Sequence, residues 1–442
     1  MAAALFGTDG VRGVAGARLT ADLARALGHA ATELSEARRP QVVLVRDTRE
    51  SGPMLSEALA AGVAEAGGDA FDAGVLPTPA ASILVRRLGL DLAGVISASH
   101  NPWRDNGIKF FDRSGGKLDP PDERRLEQRV LELLSADAPA GERSGVVRRL
   151  EASLDDYLRA LSSAFPLDLT GLEVALDCAN GATFEAAPAI FRRLGATVEV
   201  IAAQPDGRNI NEGCGSTHPE ALAEHVAASG AAVGFAFDGD GDRVVAVDGD
   251  GAVRDGDELI ALAAAHLKGA GALHGDGVAV TVMSNYGFHQ AMRAAQIEVA
   301  TTDVGDRHVA IELARREWAL GGEQSGHIIW TEYAPTGDGI AAALLVLRAL
   351  GGVPLAEARP IVRLPQVLHN VAVADREAIA GAEALWEAVE SERAALEGRG
   401  RVLVRASGTE PVIRVMVEAP EQGEAERIAA RLVVAVEREL GA

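Results

Sequence analysis

Cysteine, aromatic residues, positive charge and long apolar runs are all scarce in this 442-residue chain. Two cysteines, Cys178 and Cys214, provide no disulfide framework and suit a reducing compartment. Aromatic residues make up 4% of the chain, which leaves few stacking surfaces for nucleobases. The net charge of −22 repels polyanions and anionic membranes, and no apolar run is long enough to span a bilayer. We therefore expect a cytoplasmic protein that binds neither nucleic acid nor membranes.

What the chain does have is a recurring order of apolar strands and helices, with a polar loop after the last strand of each round. The order starts near residue 42, again near residue 173 and a third time near residue 278, and it changes after residue 365. We predict an α/β fold, with three related βαβ-type domains of mixed sheet and a smaller C-terminal α+β domain around a central cleft. The predicted domains are residues 1–153, 154–254, 255–364 and 365–442.

The first polar loop places a serine at the end of an apolar strand. Residues 93–96 predict a buried strand, and Ser99 and His100 follow it before Pro102. Ligands of α/β proteins bind at the carboxyl ends of such strands. The loop therefore presents a hydroxyl with an imidazole beside it, and the ammonium of Lys109 follows a few residues later. A serine hydroxyl is a weak nucleophile without a base or a metal, and a polar turn that only caps the next segment is the alternative.

The second loop carries three aspartates that alternate with glycine. Asp238, Asp240 and Asp242 can turn their carboxylates onto one hard cation. No histidine or cysteine is nearby, which disfavours zinc and favours magnesium. An EF-hand does not fit, because Arg243 stands where that loop needs glycine and Gly249 stands where it needs glutamate. An acidic turn without a metal is the remaining alternative.

Other glycine-containing segments carry groups suited to a sugar phosphate. Arg12, between two glycines, can direct a guanidinium at an anion. Glu323 and Ser325 offer partners for the hydroxyl or amino groups of a sugar, and Arg307 is a candidate anion contact. Ordinary turns are the alternative interpretation of each segment.

Residues 405–414 predict a phosphate cradle, for which a hairpin with surface arginines is the alternative. The backbone opens at a glycine, two hydroxyls are available, and two guanidiniums can bind oxygens bidentately. The predicted phosphate-binding residues are Arg405, Ser407, Gly408, Thr409 and Arg414. A serine, a magnesium site, a sugar-binding loop and a second phosphate site together suit phosphoryl transfer on a molecule with two ends.

Five motifs in this order resemble those of the α-D-phosphohexomutase family, and the resemblance covers essentially the whole chain. The motifs are residues 6–13, 97–109, 238–243, 321–327 and 405–414. The first and fourth are more similar to the branch acting on glucosamine phosphates than to the glucose and mannose branches. One departure is Pro335, which stiffens a loop expected to be richer in threonine.

The resemblance implies four domains that carry, in order, a phosphoserine loop, a metal loop, a sugar-binding loop and a phosphate-binding loop. It implies that phosphorylated Ser99 is the phosphoryl donor and that one Mg²⁺ is held by this phosphoserine and the three aspartates. Glucosamine 6-phosphate and glucosamine 1-phosphate would interconvert through a bound hexose 1,6-bisphosphate, which also acts as activator. The product would supply UDP-N-acetylglucosamine and cell-wall synthesis.

In the same resemblance, four side chains stabilise the transferring group or handle protons, without a division between acid and base. They are Arg12, His100, Lys109 and Arg243. The expected partner is a small sugar phosphate, and a homodimer is one alternative for the assembly. The alternatives in function are a phosphoglucomutase or phosphomannomutase, a non-catalytic sugar-phosphate-binding paralogue and a simple metal-dependent phosphatase.

Overall fold

The structure of the protein is a computed structural model. It describes the chain over four ranges, residues 5–7, 9–135, 145–407 and 411–441. Gly408 and Thr409 of the predicted phosphate cradle therefore lie outside the described residues. Among the helices that the structure describes, none combines the length and apolar composition needed to cross a membrane.

The chain divides into two compact units. The first comprises Met1–Met283 and Ile297–Arg359, and the second comprises Ser284–Gln296 and Pro360–Ala442. Three sheets belong to the first unit and one small sheet to the second. The sheets are described below in chain order.

The first sheet has six strands and contains the strand that precedes Ser99. The elements are β1 (Val11–Val14), α1 (Ala21–Leu34), β2 (Gln41–Arg46), α2 (Gly52–Glu65), β3 (Asp69–Val75), α3 (Thr78–Leu88), β4 (Leu92–Ile96), β5 (Asp105–Asp112), α4 (Pro120–Ser135) and β6 (Val147–Arg149). The strand order is β1-β5-β4-β2-β3-β6. As the unbroken apolar run predicts, β4 is buried throughout and pairs in parallel with β2. Antiparallel β5 returns along β4 and carries Lys109 opposite Val95.

The second sheet has five strands and precedes the acidic loop. Its elements are α5 (Ser153–Ala164), β7 (Glu173–Asp177), α6 (Ala186–Arg193), β8 (Thr197–Ile201), α7 (Glu220–Ser229), β9 (Val233–Phe237), β10 (Val244–Asp248) and β11 (Val253–Arg254). The strand order is β11-β10-β9-β7-β8. β9 is buried along its whole length, so the acidic loop begins at the end of a strand in the interior of the protein.

The third sheet has four strands. Its region contains α8 (Gly256–Gly269), a 3₁₀ turn (His274–Asp276), β12 (Gly277–Thr281), α9 (Tyr286–Ala294, part of the second unit), β13 (Glu298–Thr302), α10 (Asp306–Arg316), β14 (Leu320–Gly322), β15 (Ile328–Trp330) and α11 (Gly339–Leu350). The strand order is β13-β12-β14-β15. Asp338 caps the N-terminus of α11, where its Oδ1 accepts a hydrogen bond from Ala341 N–H at 2.9 Å.

These three sheets share one topology. In each, the central strand pairs in parallel with one neighbour on either side, giving β4-β2-β3, β9-β7-β8 and β14-β12-β13. The strand that comes next in the chain then pairs in antiparallel orientation with β4, β9 or β14. These strands are β5, β10 and β15, respectively. The predicted three related mixed-sheet domains are confirmed. The equivalent loops after β4, β9 and β14 leave their sheets at equivalent carboxyl ends.

The second unit contains a small antiparallel sheet covered by helices, which confirms the predicted C-terminal α+β arrangement. Its elements after residue 360 are β16 (Gln366–Ala372), a 3₁₀ helix (Arg376–Gly381), α12 (Glu383–Ala395), β17 (Arg401–Ala406), β18 (Val412–Glu418) and α13 (Gln422–Leu440). The strand order is β16-β18-β17. Leu385, Ile413 and Leu432 are among the residues of its buried core.

Candidate active site

Ser99 lies beyond β4 with its hydroxyl bonded to the acidic loop that follows β9. The side chain is buried, and Oγ donates a hydrogen bond of 2.5 Å to Oδ2 of Asp238. His100 Nδ1 lies 3.3 Å from the same Oγ. Burial and the positive charges of Arg243 and Arg12 lower the pKa of His100, so its imidazole is neutral near pH 7. Two proton acceptors therefore flank the Ser99 hydroxyl.

The acidic loop forms a compact buried group of three carboxylates, Asp238, Asp240 and Asp242. One oxygen from each lies within 4.8 Å of the others. Oδ1 of Asp240 and Oδ1 of Asp242 accept no hydrogen bond from any residue that the structure describes. Burial and the charges of the two neighbours raise the pKa of Asp238 well above its ordinary value. Clustered oxygen donors with unsatisfied atoms suit a hard divalent cation, so these residues fit a magnesium ion.

The ammonium of Lys109 is buried against the same loop. Its Nζ lies 3.1 Å from Oδ2 of Asp240, 3.8 Å from Oδ2 of Asp242 and 3.4 Å from Oδ2 of Asp9. Burial alone would lower the pKa of Lys109, but these carboxylates raise it above its ordinary value. The hydroxyl of Thr78 also donates to Oδ2 of Asp240, at 2.6 Å. Residues of the first sheet region thus hold the acidic loop through a cation and a hydroxyl.

Asp9, Lys117 and Asp306 extend this charge network, and they are not among the site residues that the sequence predicts. Lys117 Nζ lies 2.5 Å from Oδ1 of Asp9 and also pairs with Asp306. Oδ2 of Asp306 is 3.6 Å from Nε2 of His327, whose Nδ1 is 3.6 Å from Oδ2 of Asp242. Against the effect of burial, Lys117 and His327 lower the pKa of Asp306 to about 2. Opposite charges from the three sheet regions therefore alternate in one network.

Two of the predicted arginines of the first unit, Arg12 and Arg243, border this network. Arg12 pairs with Asp9, and its Nη1 donates to the carbonyl of Ala98 at 3.5 Å. Arg243 Nε lies 3.8 Å from Oδ1 of Asp242 and donates no hydrogen bond to any described residue. The side chains of Arg12 and Arg243 are 28% and 24% exposed, so both guanidiniums remain accessible to an anion.

The predicted sugar-binding residues lie in two places in the third sheet region. Glu323 follows β14, is buried, and accepts a hydrogen bond of 3.0 Å from Gly305 N–H. Ser325 is exposed two residues later. Arg307, predicted as an anion contact, forms a bidentate pair with Glu123 of α4 at 2.7 and 2.5 Å. Its role toward substrate remains a prediction.

In the second unit, the predicted arginines share one row of the small sheet. Arg405 on β17 and Arg414 on β18 are directly opposite each other in the antiparallel register. Arg376, which the sequence did not single out, donates from Nη1 to the carbonyl of Ser407 at 2.8 Å. Gly408 and Thr409 lie outside the described residues, so their predicted contacts stay predictions. Three arginines are therefore associated with the described part of this loop.

A serine hydroxyl hydrogen-bonded to a carboxylate group that fits magnesium, with cations at its border, is an arrangement suited to phosphoryl transfer. Four family models match the chain, described as phosphoglucomutase/phosphomannomutase alpha/beta/alpha domains I, II and III and the C-terminal domain. They match residues 3–136, 155–251, 255–361 and 368–435, respectively. The chain belongs to the phosphoglucomutase/phosphomannomutase family.

Curated relatives agree with this membership, and solved structures share the fold. The phosphoglucosamine mutase of Moorella thermoacetica is 50% identical over 434 residues, 97% of this chain and 98% of the relative. The phosphoglucosamine mutase of Mycolicibacterium paratuberculosis is 48% identical over 439 residues, 98% of each chain. Among solved structures, a Burkholderia thailandensis phosphoglucomutase/phosphomannomutase family protein has a TM-score of 0.84 at 24% identity, covering 99% of this chain and 97% of that one.

A fungal structure shows the same fold at lower identity. Aspergillus fumigatus N-acetylphosphoglucosamine mutase, solved in complex with GlcNAc-6P and magnesium, has a TM-score of 0.67 at 20% identity. The match covers 98% of this chain and 96% of the fungal chain. At this identity the comparison shows a shared fold and nothing about substrate.

Proposed function

We propose that this protein is a phosphoglucosamine mutase, an isomerase that interconverts glucosamine 6-phosphate and glucosamine 1-phosphate through phosphorylated Ser99. The observation that carries the proposal is the hydrogen bond of 2.5 Å between Ser99 Oγ and Asp238 in the buried carboxylate group. Full-length relatives at 48–50% identity that are named phosphoglucosamine mutases support the amino-sugar substrate. The product would serve UDP-N-acetylglucosamine and cell-wall synthesis in the cytoplasm.

The reaction consists of two transfers through the same oxygen. In the first, the bond from phosphorus to Ser99 Oγ breaks, a bond to O1 of glucosamine 6-phosphate forms, and the O1 proton is passed on to Oγ. In the second, the bond from the 6-phosphate of the 1,6-bisphosphate to O6 breaks, Oγ takes the phosphoryl group, and the serine proton goes to O6. Neutral His100 and Asp238, the acceptors beside Oγ, are the groups placed to move the serine proton.

The side chains around Ser99 supply positioning and charge. Asp238, Asp240 and Asp242, with phosphorylated Ser99, would hold one Mg²⁺, which when bound neutralises phosphoryl oxygens and acts as a Lewis acid. Accessible Arg12 and Arg243 and the protonated Lys109 provide the positive charge that a loose phosphoryl-transfer transition state needs.

Substrate binding is assigned to the remaining predicted residues. Glu323 and Ser325 would bind sugar hydroxyls or the 2-ammonium group, with Arg307 as a further anion contact after release from Glu123. Arg405, Ser407, Gly408, Thr409 and Arg414 would hold the phosphate that is not reacting. A hexose 1,6-bisphosphate is both intermediate and activator, because it can restore the phosphoserine if the intermediate escapes.

Phosphorus NMR tests the proposal. The protein is incubated with magnesium, a trace of glucose 1,6-bisphosphate and glucosamine 6-phosphate, and in parallel with glucose or mannose 6-phosphate. We expect glucosamine 1-phosphate to accumulate with the wild type and with Ser163→Ala, a change at an exposed serine of α5, and not with Ser99→Ala.

The other outcomes separate the alternatives. Faster conversion of glucose or mannose phosphate would make the protein a mutase of neutral sugars. Free phosphate as the main product would indicate a phosphatase. If the wild type isomerises none of the three sugar phosphates, the mutase proposal is wrong.

A further inference from the structure

The backbone of Ser99 adopts a conformation that needs outside support. Its φ is 52°, in the left-handed region that residues with a β-carbon seldom occupy. Such residues persist where surrounding contacts over-determine them, and they concentrate at functional sites. The contacts that fix Ser99 can therefore be sought among the groups that bind its N–H and its carbonyl.

Arg49 is the first of these groups. Its side chain is completely buried, and Nη2 donates to the carbonyl oxygens of Ser99 and Asn101, both at 2.8 Å. Nη1 donates to the carbonyl of Asp105 at 2.9 Å and also to the carbonyl of Pro102. One guanidinium thus binds three carbonyls of the loop between β4 and β5 and the carbonyl of the first residue of β5. A lysine has no planar fork and cannot reproduce this geometry.

A short relay connects Arg49 to the amide side of Ser99. Arg49 Nε donates to Oδ2 of Asp47 at 2.8 Å, and the hydroxyl of Ser97 donates to the same oxygen at 2.6 Å. Ser97 Oγ in turn accepts the N–H of Ser99 at 2.9 Å. The buried Arg49–Asp47 ion pair therefore holds both polar groups of the Ser99 backbone. Arg49 binds the carbonyl directly, and Asp47 reaches the N–H through the hydroxyl of Ser97.

Asn211 holds the same carbonyls from the second sheet region. Its Nδ2 donates to the Ser99 carbonyl at 2.9 Å and to the Asn101 carbonyl at 3.2 Å. Gly239 lies against this contact, since a β-carbon there would come within 2.7 Å of both Asn211 Nδ2 and the Ser99 carbonyl oxygen. The region that supplies Asp238 to the Ser99 hydroxyl also supplies a donor to the Ser99 carbonyl.

We propose that Arg49 and Asn211 are positioning residues for phosphoryl transfer, which hold Ser99 in its left-handed conformation with Oγ directed at Asp238. Neither side chain bonds to Oγ itself in the described structure, so each acts through the Ser99 backbone. The inference rests on the proposed function for the role of Ser99, and it adds two residues outside the predicted site. Loss of either donor lets the loop relax and moves Oγ away from the position for in-line transfer.

The test measures how fast dephosphorylated enzyme takes up a phosphoryl group from glucose 1,6-bisphosphate, by intact-protein mass at several bisphosphate concentrations. For Asn211→Ala we expect a limiting rate about tenfold lower, with the half-saturating concentration within about threefold of wild type. For Arg49→Lys we expect about a 100-fold loss of the same kind. Asn209→Ala is the control, because Asn209 bonds to Gln204 in the same loop and not to Ser99, and its rate should stay at the wild-type value.

A positioning role lowers the limiting rate while the half-saturating concentration is kept, whereas a merely structural role lowers the amount of folded enzyme and leaves the limiting rate of that enzyme unchanged. If Arg49→Lys does not fold, Asn211→Ala decides the question alone. A wild-type limiting rate for Asn211→Ala, or an equal loss for Asn209→Ala, overturns the inference. Failure of the proposed function is a different result, in which wild-type Ser99 is phosphorylated normally but glucosamine 6-phosphate is not isomerised.

Discussion

Replacing Lys109 by methionine should destabilise the metal-free protein, and magnesium should restore much of the loss. The Lys109 ammonium is 3.1 Å from Asp240, 3.4 Å from Asp9 and 3.8 Å from Asp242. Its removal leaves buried carboxylates without their cation, which typically costs about 3–5 kcal/mol. In a domain of this size that corresponds to a fall in unfolding temperature on the order of 10 °C. Because a divalent ion held by Asp238, Asp240 and Asp242 supplies positive charge to two of these three carboxylates, it should stabilise the variant more than the wild type.

The measurement is thermal unfolding of Lys109→Met and wild type, each with a chelator and with saturating magnesium. Lys268→Met is the matched control, because Lys268 lies on α8 away from the acidic loop and pairs at 3.9 Å with Asp276, whose side chain is 71% exposed. We expect the control to unfold like the wild type in both conditions. The reasoning is refuted if metal-free Lys109→Met is as stable as wild type, or if magnesium raises both unfolding temperatures equally.

Three further predictions concern the metal loop and the second unit. Asp240→Asn should abolish magnesium binding in calorimetric titration, whereas Asp250→Asn, in the exposed turn after β10, should leave it intact; equal binding by both variants would contradict the site. Phosphorylation of Ser99 adds nearly two negative charges beside the aspartates, so the phosphorylated form should bind magnesium more tightly, and equal affinities would count against this. Burial, Arg401 and Arg293 lower the pKa of His289 from 6.5 to about 4, so the second unit should lose stability as the pH falls through that range. The loss should be smaller in His289→Gln, measured by urea unfolding from pH 7 to 4.

The parts of the site that the sequence predicts are those with a local signal. Ser99 and Asp238 each come at or near the end of a buried apolar strand, and Glu323 directly follows a short one, so the sheet topology alone brings them to equivalent ends. The turn between β10 and β11 is local in the same sense, because Asp248 Oδ1 accepts the N–H groups of Asp250 and Ala252.

The sequence could not predict the ion pairs between residues that are far apart along the chain. Arg307 carries a plausible anion-binding guanidinium, yet its partner is Glu123, 184 positions away in the chain. Lys117 reaches Asp306 across 189 positions. An isolated charged residue has many compatible partners, and only the packing of one sheet region against another selects among them. A buried arginine such as Arg49 looks like any surface arginine until the carbonyls around it are known.

The way Ser99 is held bears on how one serine can serve both ends of a sugar. Its hydroxyl donates a hydrogen bond to Asp238 and its carbonyl accepts one from Asn211, while the Thr78 hydroxyl donates to Asp240. Separating these segments would leave buried polar groups without hydrogen-bond partners, each at a cost of about 1–3 kcal/mol. In the reaction proposed above, Ser99 would therefore stay in place between the two transfers, and the bisphosphate would have to turn so that its other end meets Ser99. An intermediate that turns must be retained by a phosphate site separate from the reacting one, which is the task we assign to the arginine-bearing loop of the second unit.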